Sequence, residues 1–137
     1  KVESIGLVHT ALVTIDNKRI LIPNGDIAKA RITNYTAKAT RMVDIEFGVG
    51  YDADLEEVKH VILEVIQKNP LALQDPAPLV RCSGHGDSAL KITCRVWVET
   101  AHYWTLYFDL FEQVKAAFDE HHISIPFPQL DVHMNAK

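Results

Sequence analysis

The chain lacks the long apolar run that a membrane-spanning helix requires. No stretch of its 137 residues approaches the roughly 20 consecutive apolar residues that cross a bilayer. Cysteine is also scarce: Cys82 and Cys94 are too few for a disulfide framework and do not have the spacing of a metal site. The 14 Lys and Arg residues are scattered, and the formal net charge is −4. The sequence therefore argues against a nucleic-acid partner, and its cysteine content favours a reducing, cytosolic setting.

What remains is the composition of an ordinary globular chain. Hydrophobic residues make up 47% of the sequence and charged residues 23%, so the chain can bury a core of useful size. It begins at Lys1 rather than Met, and its first residues do not form a signal peptide. We therefore expect the chain to be part of a longer protein.

Residues 1–40 have the pattern of a small β domain. Apolar residues dominate from Val2 to Ile15, residues 16–18 supply turn chemistry, and a second apolar run follows from Arg19 to Ile22. This pattern predicts a β-hairpin. A short helical turn is expected over residues 26–30 and another strand over 31–35. A piece of this size needs neighbours to be stable.

The hairpin ends in a predicted structural turn. Proline has no backbone donor, and glycine tolerates positive φ, so their combination with asparagine interrupts a strand. The residues of this turn are Pro23, Asn24 and Gly25.

Residues 41–126 predict an α/β domain. Period-two strands are expected over 42–49 and 90–98, a third strand over 79–83, and helices after Asp54 and from about Trp104 to His121. A short extended segment closes the chain. The resulting order β-α-β-β-α-β is ferredoxin-like, so the overall fold class is α+β. We place the domain boundaries at 1–40, 41–126 and 127–137.

One segment has the spacing of a nucleotide-binding motif. Residues 48–53 fit G-x-G-x-x-A between a strand and a helix, but Asp52 would place a negative charge beside a pyrophosphate. The carboxylates of Asp52, Asp54, Glu56 and Glu57 are also potential ligands of a divalent cation. Helix capping by Asp54 with Glu57 explains these acidic residues more simply.

The other polar residues form no catalytic constellation. His121 and His122 point in different directions at a helix end, and His85 lies at a predicted hairpin tip. Trp97 and Trp104 are expected to pack in a core or an interface. We therefore predict no catalytic, cofactor-binding or metal-binding residues, and no enzyme.

Three short segments, spread over nearly the whole chain, carry a combined signature. Residues 20–25 read ILIPNG, residues 48–54 read GVGYDAD, and residues 123–132 read ISIPFPQLDV. In this order they resemble the I-x-I-P-N-G, G-V-x-Y-D-x-D and I-x-F-P-x-P-Q-x-D-V motifs of the MscS-like mechanosensitive channel family. Ile125 stands where that family often has Phe.

The resemblance implies a fold and a function. Residues 1–40 would form an Sm-like middle β domain, completed by neighbouring subunits, and residues 41–126 the ferredoxin-like domain. The final segment would be a strand of an inter-subunit barrel, made by Phe127, Pro128, Gln129, Leu130, Asp131 and Val132. The family is homoheptameric, lies in the bacterial inner membrane with this region in the cytoplasm, and opens under tension to release solutes after osmotic downshock. Its transmembrane helices are not in this sequence.

Two other functions stay open from the residues alone. A soluble Sm-like or ferredoxin-like regulatory module is the first, and RNA binding by it would weaken steeply with salt. A nucleotide- or metal-dependent enzyme built around residues 48–57 is the second, and its ligand would raise the melting temperature.

Overall fold

A computed structural model describes residues 1–134 of the chain. The chain divides into two compact units, the first Lys1–Tyr35 and the second from Thr36 onward. Each unit has its own antiparallel sheet and at least one helix, so the predicted α+β class is confirmed. No helix within the described residues has both the length and the apolarity to cross a bilayer.

The first unit is a three-stranded antiparallel sheet followed by one short helix. Its elements, in chain order, are β1 (Val2–Ile5), β2 (His9–Val13), β3 (Arg19–Pro23) and α1 (Asn24–Lys29). The strands lie in the order β1-β2-β3, and Thr10 of β2 faces Ile22 of β3. The predicted hairpin is therefore present as β2 and β3. The apolar run before it contains a turn at residues 6–8 that splits it into two strands.

The strand predicted over residues 31–35 is wrong. Residues 31–34 are neither helix nor strand, and Tyr35 lies in a turn. Apolar residues in this run satisfy a local pattern, but a strand forms only where a partner supplies the hydrogen bonds of a ladder. None of the described strands pairs with it.

The first unit buries almost no apolar side chain. Ala11 is the only apolar residue of the unit that is fully buried, with Thr10 beside it. The large apolar residues that stay exposed are Val2, Ile5, Leu7, Val8, Ile15, Ile20, Leu21, Ile32 and Tyr35. The unit by itself has no hydrophobic core.

The second unit is a three-stranded sheet with two long helices. Its elements are β4 (Thr40–Val49), α2 (Leu55–Lys68), β5 (Leu79–His85), β6 (Leu90–Glu99) and α3 (Tyr103–Glu120), with one 3-10 turn, Thr100–His102, before α3. All pairs are antiparallel, and the order is β4-β6-β5. This order is that of the first three strands of the predicted ferredoxin-like arrangement.

The last element of that arrangement is not formed within the described residues. Residues 121–134 contain neither helix nor strand, so the outer edge of β4 carries no further strand in this part of the chain. Pro126 and Pro128 explain much of this result, because neither has a backbone N–H to donate to a ladder.

The core of the second unit lies between one face of the sheet and the two helices. Every second residue is buried in β6, and in β4 from Val43 onward, as the period-two pattern predicts. The helices contribute buried stripes at Val58, Val61, Ile62 and Ile66, and at Leu106, Leu110, Val114 and Phe118. On the opposite face, Arg95 pairs with Asp44 at 2.9 Å and Lys91 with Glu46 at 3.3 Å. One face of the sheet is therefore apolar and buried, and the other is polar and exposed.

Candidate functional site

The predicted turn at residues 23–25 is the point where β3 passes directly into α1. Pro23 is the last residue of β3, and Asn24 is the first of α1. The side-chain amide of Asn24 donates to the carbonyl oxygens of Gly6 at 2.9 Å and Leu7 at 3.1 Å. The backbone N–H of Asn24 donates to the carbonyl of Val8 at 2.9 Å. Asn24 thus fastens the β1–β2 turn to the end of β3.

The side-chain oxygen of Asn24 is also used. The Thr10 hydroxyl donates to Asn24 Oδ1 at 2.8 Å, and Thr10 is one of the few buried residues of the unit. An amide is suited to this position because it donates and accepts through the same side chain. Sequence analysis identified Asn24 as a turn residue but did not predict this network.

Gly25 has an ordinary helical position. Its φ is not positive, and a Cβ placed on it would meet nothing within 4 Å. Residue 25 lies in the first turn of α1, so the tolerance of glycine for positive φ is not used here.

The motif at residues 48–54, which we call the junction, connects three parts of the second unit. Gly50 N–H donates to the carbonyl of Ser124 at 3.0 Å, which ties the chain after α3 to the end of β4. The Tyr51 hydroxyl donates to the carbonyl of Gly86 at 2.5 Å, at the tip of the β5–β6 hairpin. Asp54 is the N-cap of α2. These contacts give Gly50, Tyr51 and Asp54 structural roles.

Of the predicted capping box on α2, the structure shows the half made by Asp54. One carboxylate oxygen of Asp54 accepts from the backbone N–H of Glu56 at 2.8 Å and of Glu57 at 3.4 Å. Two amide donors that the first helical turn would leave without partners are thereby satisfied. Among residues 1–134, no three His, Cys, Asp or Glu side chains are grouped so as to hold a metal ion.

The C-terminal segment, residues 127–132, is exposed along its whole length. Phe127 is 83% exposed, Leu130 85% and Val132 71%. Gln129 anchors the segment: its backbone N–H donates to Ser88 Oγ at 3.1 Å, and its side-chain amide donates to the carbonyl of Phe127 at 2.9 Å. Pro128 and Asp131 are exposed between these residues. The six residues form an exposed stretch, rich in apolar side chains, that belongs to no sheet of the described chain.

The thiols and histidines do not form a reactive centre. Cys82 and Cys94 are both free, and they are offset in register, since Cys82 faces Ile92 and Val80 faces Cys94. Burial, with a smaller contribution from the Asp44 carboxylate, raises the pKa of Cys94 to about 12. This thiol is therefore protonated and not nucleophilic at neutral pH. His121 follows the last residue of α3, with Nδ1 3.8 Å from a Glu57 carboxylate oxygen.

An aromatic surface on α3 was not predicted as a feature. Trp104 stacks on Phe108 with ring centroids 6.0 Å apart, and Tyr107 meets Phe111 edge-on at 5.2 Å. Trp104 and Phe108 are more than half exposed. The signal was in the sequence, where residues 103–111 read YWTLYFDLF, but only one face of this helix can enter the core.

Both units match known protein families. Residues 1–37 match the model described as "Mechanosensitive ion channel, beta-domain", and residues 43–125 match "Mechanosensitive ion channel MscS, C-terminal". The junction and the residues 23–25 lie inside these two matches. The second match alone spans more than half of the chain.

Curated relatives include named channels. A small-conductance mechanosensitive channel of Edwardsiella ictaluri (strain 93-146) is 41% identical over 133 residues, 97% of this chain and 46% of that protein. Its counterpart in Helicobacter pylori (strain UM084) is 32% identical over 133 residues, 96% of this chain and 48% of that protein. The chain thus spans about half the length of these relatives.

Solved structures agree with this assignment. The crystal structure of Helicobacter pylori MscS in its closed state superposes with a TM-score of 0.94 at 30% identity, covering 100% of this chain and 55% of that one. Arabidopsis thaliana MSL1, at 17% identity, has a TM-score of 0.75 over 93% of this chain and 48% of that one, and shares the fold. The resemblance carried by the three sequence motifs is confirmed, and the chain belongs to the MscS family of mechanosensitive ion channels.

Proposed function

We propose that the chain forms the cytoplasmic cage of a mechanosensitive channel that opens under membrane tension and releases solutes on osmotic downshock. The channel would be a homoheptamer in the bacterial inner membrane, with pore helices supplied by parts of the protein outside this sequence. The cage has no chemistry of its own in this proposal. The named channels among the relatives support it.

The observation that carries the proposal is exposed apolar surface at two places. The first unit has a sheet without a core, and the C-terminal segment presents Phe127, Leu130 and Val132 to solvent. Apolar surface of this extent is covered in a stable protein, and identical subunits in a ring cover the same surface on every copy. Residues 127–132 belong to no sheet of the described chain, which leaves them available to pair with the same segment of other subunits.

The test is carried out in the full-length channel that contains this chain. Leu130→Asp places a charge where the proposal buries an apolar side chain, which costs about 2 kcal/mol or more for each copy. We expect at least a tenfold loss of assembled heptamer, measured by light scattering of the detergent-solubilised protein. Pressure-activated current in membrane patches and survival of osmotic downshock should fall with it. Deletion after Pro126 should have the same effect.

Ile125→Asp is the matched control. It introduces the same carboxylate just before the segment, at a side chain that is 46% exposed, and assembly should remain near the wild-type level. Wild-type assembly and current in both Leu130→Asp and the deletion variant would contradict the role of the C-terminal segment. A protein that stays monomeric at full length, without current under pressure, would contradict the proposed function itself.

A further inference from the structure

The β5–β6 hairpin and the C-terminal segment meet at one side chain. The hairpin turn, residues 86–89, is closed by the N–H of Gly86 donating to the carbonyl of Ala89 at 2.7 Å. Ser88 lies in this turn and accepts the hydrogen bond of the Gln129 backbone N–H. Gln129 lies nine residues after the end of α3, in a part of the chain without helix or strand. The hydrogen bond to Ser88 therefore fixes a segment that secondary structure does not hold.

The turn that holds Ser88 is itself fixed. The Tyr51 hydroxyl donates to Gly86, and the Tyr51 ring lies 6.3 Å from the His85 ring. Because Tyr51 lies two residues after the end of β4, the hairpin tip is held close to the opposite edge strand of the sheet. The contacts of Tyr51 and the turn hydrogen bond of Gly86 thus fix the position of Ser88.

The start of the C-terminal segment is fixed at a second point. Ile123 is buried and donates to the carbonyl of Phe118, and the carbonyl of Ser124 accepts from Gly50. Residues 125–128 span the distance between this anchor and Ser88. An open polar cavity of about 660 Å³ lies between the two anchors, lined among others by Tyr51, Ser88, Ser124, Pro126 and Gln129.

Two anchors on a chain with two prolines leave little freedom of direction. Pro126 and Pro128 fix their own φ and disfavour helical conformations at residues 125 and 127. With both ends held, the segment leaves the domain along a single path. A path set in the separate subunit reduces the entropy lost when the segment pairs with another chain.

We propose that the β5–β6 hairpin tip is a clasp that sets the direction in which residues 127–132 leave the domain, with Ser88 as its positioning residue. The clasp prepares the segment for assembly and takes no part in the sheet that assembly forms. The proposal of a clasp rests on local contacts, and its value for assembly rests on the proposed function.

The first measurement is backbone amide exchange at Gln129, followed residue by residue with mass spectrometry. All variants of the chain carry Leu130→Asp, so that a neighbouring subunit does not protect the segment. Ser88→Ala removes the acceptor, and we expect exchange at Gln129 to become about fivefold faster, the effect of one net hydrogen bond. Ser88→Thr retains an acceptor oxygen and should restore slow exchange.

Ser83→Ala is the control on the same hairpin. The Ser83 hydroxyl donates to the carbonyl of Lys91 at 3.2 Å, so this variant loses a hairpin hydrogen bond that does not involve the segment. Exchange at Gln129 should not change. Equal exchange in Ser88→Ala and its parent, or equal acceleration by Ser83→Ala, would overturn the clasp whether or not the subunits assemble.

The second measurement addresses assembly in the full-length channel without the Leu130→Asp change. Ser88→Ala should slow formation of the heptamer from dissociated subunits severalfold, while Ser83→Ala leaves the rate unchanged. If exchange responds but the assembly rate does not, the positioning role is overturned. If wild-type subunits do not assemble at all, the proposed function fails while the exchange result still decides the clasp.

Discussion

At the scale of single residues, the side-chain amide of Asn24 connects parts of the first unit that the exposed apolar side chains do not hold together. It holds Gly6 and Leu7 with its two N–H donors and receives the hydroxyl of Thr10. In a unit with almost no buried apolar surface, directional hydrogen bonds decide more of the structure than packing does.

Asn24→Asp tests this network with a change of one atom. A carboxylate cannot donate to the two carbonyls and would repel them, so we expect the first unit to lose about 2 kcal/mol. Amide exchange in β2 should accelerate accordingly. The control Gly25→Ala has open space for its methyl group, and alanine is favoured over glycine in a helix by up to about 1 kcal/mol. Unchanged exchange in Asn24→Asp, or equal acceleration in both variants, would contradict the assigned role.

At the scale of single elements, α2 shows how a helix start is specified by a few residues. Asp54 is the N-cap of α2, and its carboxylate accepts hydrogen bonds from two backbone amides of the first turn. Glu56 and Glu57 place negative charge at the positive end of the helix dipole. Lys68 and Asn69 complete the opposite end.

Asp54→Ala should therefore destabilise the second unit by about 1 kcal/mol. Urea denaturation followed by tryptophan fluorescence reports on this unit, because Trp97 and Trp104 both lie in it. Asp52→Ala removes the same carboxylate two residues earlier, outside the helix cap, and should shift the transition much less. A larger effect at residue 52 than at residue 54 would show that capping is not the reason for the acidic cluster.

Elements with a strong local period could be predicted from the sequence. In β4 and β6 strict alternation matched burial, and in α2 the apolar stripe from Val58 to Ile66 did the same. The predicted strand at residues 31–35 failed because partners, not pattern, decide whether a strand forms. The hydrogen bonds of Ser88 with Gln129 and of Gly50 with Ser124 join residues that are far apart in the sequence. No local sequence pattern could therefore predict them.

At the scale of the whole molecule, apolar burial is divided unequally between the units. All but one of the buried apolar residues among those described belong to the second unit. A stable unit is expected where burial offsets the loss of conformational entropy, and the first unit does not meet this condition by itself.

Separate expression of the two units tests this difference. Residues 36–137 should fold and unfold in one cooperative thermal transition, seen by circular dichroism. Residues 1–35 should have the spectrum of an unfolded peptide at micromolar concentration. A cooperative transition in the short piece as a monomer would contradict the inference that it needs additional apolar cover.

The pairing of β4 with β6 also has a consequence for the order of events during synthesis. Thr40 faces Glu99 and Val49 faces Leu90, so no residue of β4 has its neighbour until the ribosome has made β6. β5 does not substitute for it, since β6 lies between them. The nascent chain therefore carries an unpaired ten-residue strand while the residues between β4 and β6 are being made, and its apolar side chains are a binding site for a chaperone during that interval.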